Sequence, residues 1–427
     1  MNVLIYGYGL KGGGYDNAMY FLKKGHNVRL TDIRDEASLG ESAAFLKAQG
    51  VQIIAGEHRV EDFKWADLVI KTPAVSLDSP FLDYSSKVMS DFACLFSDKH
   101  INKVKLIYIT GTVGKTITSS AVCHALNKLG KKARMCGNMG ISPFSELEKW
   151  ERGNVPEYLV CELSSWQVRD TNAFLKTMPS IELAVLTNVL LDNENDKSDI
   201  QQFYNNKMHM LGTDIKCLLC PKECKPYISN AIKTKSRKMG TIEYFGSGLS
   251  KDLPLSMKSS FAILNKLGFS ASEINKALKS FKGVPHRNEI VKTAGNLLVI
   301  NDSASTIPQA SSFTINNMNG LRINVICGGT GKNLNAQSLV EALTQVASVT
   351  LLCGSFTENI LIPALNEAKI AFNGPFENMK NAVKSAMVNT DKKNTGTEVL
   401  LLSPGASAFE YFANEYDRGD QFKACFK

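Results

Sequence analysis

The chain has 427 residues, too many for one ordinary core, so two to four domains are expected. Hydrophobic residues make up 44% and charged residues 21%, and no apolar run approaches the roughly 20 residues of a membrane span, which argues for a soluble globular protein. The 49 basic and 41 acidic side chains leave +8, which suits anionic ligands such as nucleotides; with no basic cluster interleaved with aromatics, it gives no argument for nucleic acid.

Residues 2–6, NVLIY, read as a buried strand that runs straight into a glycine turn, so no secretory leader is expected. Gly7, Gly9 and Gly12 then satisfy G-x-G-x-x-G. A helix over Asn17–Lys24 and a strand over Val28–Thr31 follow, with Asp32 at the strand end, where a ribose hydroxyl could be held. Taken alone, this Rossmann-like unit points to an NAD-dependent dehydrogenase, or only to a tight turn where the backbone meets some phosphate. Strands at 51–55 and 67–75 complete a first domain, 1–95.

The strongest signal runs from Lys105 to Ser120, KLIYITGTVGKTITSS. An apolar strand enters the loop Gly111-Thr112-Val113-Gly114, and a helix follows with Ala121, Val122, Ala125, Leu126 and Leu129 at helical spacing. Gly111 and Gly114 let backbone N–H groups turn toward an anion, and the helix N-terminus adds partial positive charge. Lys115 can reach the β- and γ-phosphates, and the Thr116 hydroxyl suits Mg²⁺. Strands at 158–161 and 183–186 end at Glu162 and at Thr187-Asn188, the carboxyl ends where α/β sheets collect ligands. Glu162 is thus placed to hold Mg²⁺ beside Thr116.

The stretch after Leu190 is less regular, with Asp192, Glu194 and Asp196 close together and Lys207 on a helix. A Lys-rich region, 212–255, leads to helices over Ser259–Leu267 and Ser272–Lys279, closing a central domain, 96–284. The ten cysteines are scattered through apolar runs, as in a reducing cytoplasm. Cys217, Cys220 and Cys224 could begin a zinc site, but with no fourth ligand nearby a buried strand end is the simpler reading. A third unit, 285–427, starts at Pro285-His286-Arg287-Asn288-Glu289 and carries strands at 297–303, 323–329, 349–354 and 398–405. The architecture is therefore three consecutive α/β domains: Rossmann-like, central P-loop ATPase-like, and Rossmann-like again.

These motifs, in order, resemble a known family. After the Rossmann-like start come ITGTVGKT, Asn138 in CGNMG, ELSSWQ, the lysine of QQFYNNK, HRNE, INDSAST, GGTGKN and LLSPGASAFEYFANEYDRGDQF. The chain resembles the Mur ligases along its whole length, and the last motif with the bare Rossmann start is most similar to the branch that adds D-glutamate to UDP-N-acetylmuramoyl-L-alanine. The resemblance implies an ATP- and Mg²⁺-dependent ligase of peptidoglycan precursor synthesis, cytoplasmic and monomeric, with small-molecule substrates. It implies that Gly111, Thr112, Gly114, Lys115 and Thr116 hold ATP, that Arg287 and Asp302 close over it, and that Thr116 and Glu162 hold one Mg²⁺. Lys207 matches a lysine carbamylated in the family, a ligand for a second Mg²⁺. Asp32 and Arg34 match the uracil end of the nucleotide substrate, Asn138 and Ser164 its muramoyl-alanine end, and Thr306 and Lys332 the glutamate carboxylates.

The chain also departs from the family pattern. Val113 replaces an Asn, Asn193 replaces a His near the second metal, Ala304 replaces a Lys, Ala408 takes a small-residue slot, and Glu415 replaces an aromatic. Three functions are open on the sequence: the active ligase, a ligase-derived protein that binds nucleotides without turnover, and the dehydrogenase.

Overall fold

The computed structural model describes residues 1–9, 13–138, 140–175, 177–188, 215–225, 228, 240–245, 255–318, 320–331, 334–390 and 396–427. From Val3 onward, β1 (Asn2–Tyr6) is fully buried, as a parallel strand covered on both faces requires. Helix α1 (Gly13–Lys23) returns the chain to β2 (Asn27–Asp32), followed by β3 (Gln52–Ala55), β4 (Leu68–Lys71), β5 (Val88–Met89) and α2 (Asp91–Phe96). The sheet is all parallel in the order β3-β2-β1-β4-β5. The order in which strands are added reverses between β1 and β4, which makes the crevice beyond their carboxyl ends the natural ligand site. The strand expected over 67–75 stops at Lys71: the Thr72 N–H makes the last ladder bond, to the Tyr6 carbonyl, and Pro73 has no N–H to continue it.

The second sheet is built from β6 (Lys105–Thr110), α3 (Lys115–Lys128), β7 (Ala133–Gly137), β8 (Tyr158–Glu162), α4 (Ser165–Phe174), β9 (Ile181–Leu186), β10 (Cys217–Pro221) and β11 (Thr241–Phe245). Its order is β11-β10-β9-β6-β8-β7, again parallel, with β6 at the switch point. The expected helix pair is present as α5 (Leu255–Lys266) and α6 (Ala271–Lys279), both packed on α3. Cys217 and Cys220 are three positions apart on β10, so they fall into apolar clusters on opposite sides of the sheet and cannot share one metal ion.

The third sheet joins β12 (Glu289–Ala294), β13 (Leu297–Asn301), α7 (Pro308–Asn316), β14 (Arg322–Cys327), β15 (Ser348–Leu352), β16 (Asn373–Phe376) and β17 (Glu398–Leu402), before α8 (Glu415–Ala424). Its order is β12-β13-β17-β14-β15-β16, with only β12 antiparallel. The described residues through Phe281 form one compact unit and those from Lys282 another. Within the first unit, one apolar cluster runs through both sheets: Tyr20 and Phe21 of α1 meet Phe144, with the Phe21–Phe144 ring centroids 5.2 Å apart.

Charges are also sealed between these two sheets. Lys71 and Asp170 form an ion pair with both side chains fully buried, and Asp91 at the start of α2 is buried near them. Burial pushes the Asp91 carboxyl up to about 6; the Asp170 charge adds to this, while the Phe92 N–H and Lys71 oppose it. A raised carboxyl favours the fold while protonated, and that contribution is lost as pH rises from the ordinary carboxylate range through about 6. Asp91→Asn should therefore raise the melting temperature at pH 8, by a free energy of about 2–3 kcal/mol, and leave it unchanged at pH 4. Thermal denaturation at the two pH values checks this.

Candidate active site

The glycine turn after β1 is held from inside. Tyr8 donates its N–H to Asp32 Oδ2 at 2.7 Å. Arg34 grips the same carboxylate through Nε at 2.9 Å and Nη2 at 2.9 Å, and Nη2 also reaches the Gly9 carbonyl at 3.3 Å. Glycine is required at 14, where a Cβ would stand 2.7 Å from both Cα and O of Tyr8. Gly12 lies outside the described residues. Asp32 thus shapes the loop, and the half-buried Arg34 is the residue at its edge. Burial raises the Asp32 pKa, but the Arg34 hydrogen bonds and the Tyr8 N–H outweigh it and hold the carboxyl at about 2. Its contribution is complete above the ordinary carboxylate range and is lost as pH falls toward 2. Wild type should therefore lose an advantage of about 1–2 kcal/mol over Asp32→Asn between pH 4 and pH 2, read from acid melts.

At the second sheet, four strand ends converge. Gly111, at φ +149°, leaves room for Thr187, and Gly114, at φ +83°, is the left-handed residue that opens α3. Asn188, after β9, staples the loop: its Oδ1 accepts from Thr112 N at 3.1 Å and Val113 N at 3.0 Å, and its Nδ2 donates to Val113 O at 2.8 Å. Thr187 Oγ1 donates to the same carbonyl at 2.8 Å. Two of the loop amides are therefore bound internally, and the amino end of α3, with the partial positive charge of its helix dipole, is the part suited to an anion. Lys115 arches back over the loop, donating to Gly111 O at 2.7 Å and Thr112 O at 2.9 Å.

Beside the loop, Glu162 ends β8 and is 1% exposed. Its Oε1 accepts from Thr116 Oγ1 at 3.2 Å and Asn138 Nδ2 at 3.4 Å. Its Oε2 is sealed with no hydrogen-bond partner among the described residues. An unsatisfied carboxylate oxygen in a dry pocket is costly, and a cation is the group that would satisfy it. Thr116 and Glu162 thus fit a hard divalent ion by donor type. Ser164 caps α4, accepting from Gln167 N at 3.2 Å while Gln167 Oε1 accepts from Ser164 N at 2.9 Å. Lys207, Asn193 and Lys332 lie outside the described residues, as do Asp192, Glu194 and Asp196.

On the second compact unit, Arg287 sits between two left-handed residues, His286 at φ 61° and Asn288 at φ 50°. Such a turn persists only when braced. Glu289 Oε2 accepts the His286 N–H at 2.9 Å, and Asp302 Oδ1 accepts the Asn288 N–H at 3.2 Å. Asp302 is 3% exposed, and its Oδ2 takes hydroxyls from Ser305 at 2.6 Å, Thr314 at 2.8 Å and Ser403 at 3.0 Å. Burial raises its pKa and those hydroxyls pull it back. Asp302 faces inward and presents Arg287, which is half-buried. Thr306 is half-buried just beyond, and Ala408 is buried among Phe412 and Phe422.

Two residues to which the sequence assigned no specific role hold these loops. Asn188 is the staple already described. Arg418 is fully buried and donates to the carbonyls of Ser303 at 2.9 Å, Ala406 at 2.9 Å and Ser407 at 3.0 Å, with burial lowering its pKa to about 9. The signal for Asn188 was its place at a strand end; for Arg418 there was only the motif around it.

No family model matches the sequence. The chain is 31% identical to a UDP-N-acetylmuramoylalanine–D-glutamate ligase of Borreliella afzelii, over 99% of this chain and 97% of that one. It is 26% identical to the ligase of the same name from Treponema pallidum, over 99% and 96%. Among solved structures it is similar in fold to the MurF ligase of Thermotoga maritima in complex with ADP, TM-score 0.60 at 15% identity over 94% of both chains. It is also similar to the UDP-N-acetylmuramate–alanine ligase MurC of the same organism, TM-score 0.59 at 19% identity over 100% and 99%. A match of this length to ligases sets the dehydrogenase expectation aside. At 31% identity over nearly the whole of both chains, the chain belongs to the UDP-N-acetylmuramoylalanine–D-glutamate ligase family.

Proposed function

We infer that this protein joins D-glutamate to UDP-N-acetylmuramoyl-L-alanine at the expense of ATP, in peptidoglycan precursor synthesis. The observation that carries the reading is the end-to-end match to ligases of that name. The cradle of Lys115, Thr116 and Glu162 supports it with chemistry of the right kind.

The substrate carboxylate is a poor electrophile at neutral pH. Attack of its oxygen on the γ-phosphorus, with ADP leaving, gives an acyl phosphate; the D-glutamate amine, having lost a proton, then attacks the acyl carbon and phosphate departs. Both steps gather negative charge, which Lys115 and the amino end of α3 would offset. Mg²⁺, when held by Thr116 and Glu162, would supply Lewis-acid neutralisation of the phosphates. We assign a second Mg²⁺ to carbamylated Lys207, with Asn193 as a weak ligand. The nucleotide end of the substrate is assigned to Asp32 and Arg34, and its muramoyl-alanine end to Asn138 and Ser164. On the second unit, Arg287, positioned by Asp302, is assigned to ATP, and Thr306 and Lys332 to the amino-acid carboxylates.

Purified protein with ATP, Mg²⁺, UDP-N-acetylmuramoyl-L-alanine and D-glutamate should release phosphate only when both substrates are present. Phosphate that appears without either one, or not at all, overturns the reading. We place the protein in the cytoplasm, a compartment its ten free cysteine thiols suit, and assign it as a monomer. Sedimentation at 46.8 kDa checks the monomer.

A further inference from the structure

Lys71 closes β4, the strand beside the glycine turn at the switch point of the first sheet. Its ammonium donates to the Thr72 carbonyl at 3.2 Å and to Asp170 Oδ2, 99 positions away on α4. Helix α4 begins at the Ser164 cap, two residues past Glu162. Both side chains are 0% exposed, the one ion pair sealed on both sides among the described residues. Burial pushes the Lys71 ammonium down and the Asp170 carboxyl up, and each pulls the other back. Asp91 from α2 and Arg169, whose Nε is 3.8 Å from Asp170 Oδ1, are the other charges that face the pair.

A sealed pair of this kind adds little net stability, because desolvation cancels most of the attraction. What it does fix is geometry. The hydrogen bond is directional and tolerates little displacement. One end of it is tied to the loops of the first sheet and the other to the helix that follows Glu162 in the second.

We propose that the Lys71–Asp170 pair is a positioning device that sets the spacing between the nucleotide-holding loops of the first sheet and the phosphoryl-transfer loops of the second. This rests on the ligase reading, in which a single nucleotide-sugar substrate spans from one set of loops to the other. A ligand that touches only the first sheet is indifferent to that spacing, whereas the spanning substrate is not.

The test compares calorimetric binding of UDP and of UDP-N-acetylmuramoyl-L-alanine to the full chain as wild type, as Lys71→Met/Asp170→Leu, and as Asp170→Asn. Melting temperatures and steady-state kinetics are measured in parallel. Both variants should bind UDP within about twofold of wild type and the full substrate about 10-fold or more weakly, with kcat/KM for it down about 100-fold and KM for ATP unchanged. A double variant that melts and binds the full substrate as wild type does would show a merely structural pair and overturn the proposal. Equal losses for UDP and the full substrate also overturn it, since they mark local damage to the first sheet. Asp170→Asn keeps the side-chain shape and decides the matter if the double variant fails to fold. The ligase reading fails separately: wild type then binds the full substrate without turnover, and the binding comparison still decides the spacing. Wild type that binds neither ligand overturns both.

Discussion

Lys115→Met lowers kcat for substrate-dependent phosphate release by about 10²–10³-fold, the loss that follows removal of one preorganised donor from a site of developing charge. Methionine keeps the unbranched stem, so the packing of α3 against its sheet survives. The variant gives up the hydrogen bonds to Gly111 O and Thr112 O, a stability cost of about 1–2 kcal/mol for half-buried, charge-assisted bonds. The affinity for UDP stays at the wild-type level, because its assigned residues, Asp32 and Arg34, are on the other sheet of the unit. Rapid-quench and steady-state kinetics with UDP calorimetry measure all three. Activity within tenfold of wild type would mean that this loop is not where the γ-phosphate is transferred.

Glu162→Gln separates stability from activity in opposite directions. Its Oε1 accepts from Thr116 and Asn138, and an amide oxygen does the same, while Oε2 is a buried acceptor without a donor. Replacing that oxygen by an uncharged amide removes a desolvated charge, so the variant melts at or above the wild-type temperature, by a gain of about 1 kcal/mol. The same change removes the negative charge that fits a divalent ion. The variant therefore loses about 100-fold or more in kcat and needs a much higher Mg²⁺ concentration for half-maximal activity. A variant both less stable and normally active would make Glu162 a structural acid at a strand end.

Strand-end chemistry was legible from sequence because it depends on local pattern alone. Apolar runs that stop at Gly111, Glu162, Thr187 and Asp302 place those residues at carboxyl ends whatever the rest of the chain does. What a side chain does once there depends on partners far along the chain. Asn188 binds residues 75 and 76 positions earlier, and Lys71 binds one 99 positions later. Asp302 sits where the motif puts it, but four internal donors turn it inward, so it acts through the Arg287 turn. The end of β4 differs from the expectation for a local reason: Ala74 and Val75 extend the apolar character of the segment, but Pro73 before them has no N–H for the ladder.

The apolar cluster shared by the first two sheets has a consequence for how the chain comes apart. Tyr20, Phe21, Phe92, Leu95 and Phe96 are buried in the same cluster as Phe144, Trp150 and Leu159. Neither sheet closes that surface alone, so the region through Phe281 should melt as one cooperative block, with a single calorimetric transition for two sheets. A fragment cut after residue 95 would carry several large aromatic faces into water and should aggregate, however well its own strands pair.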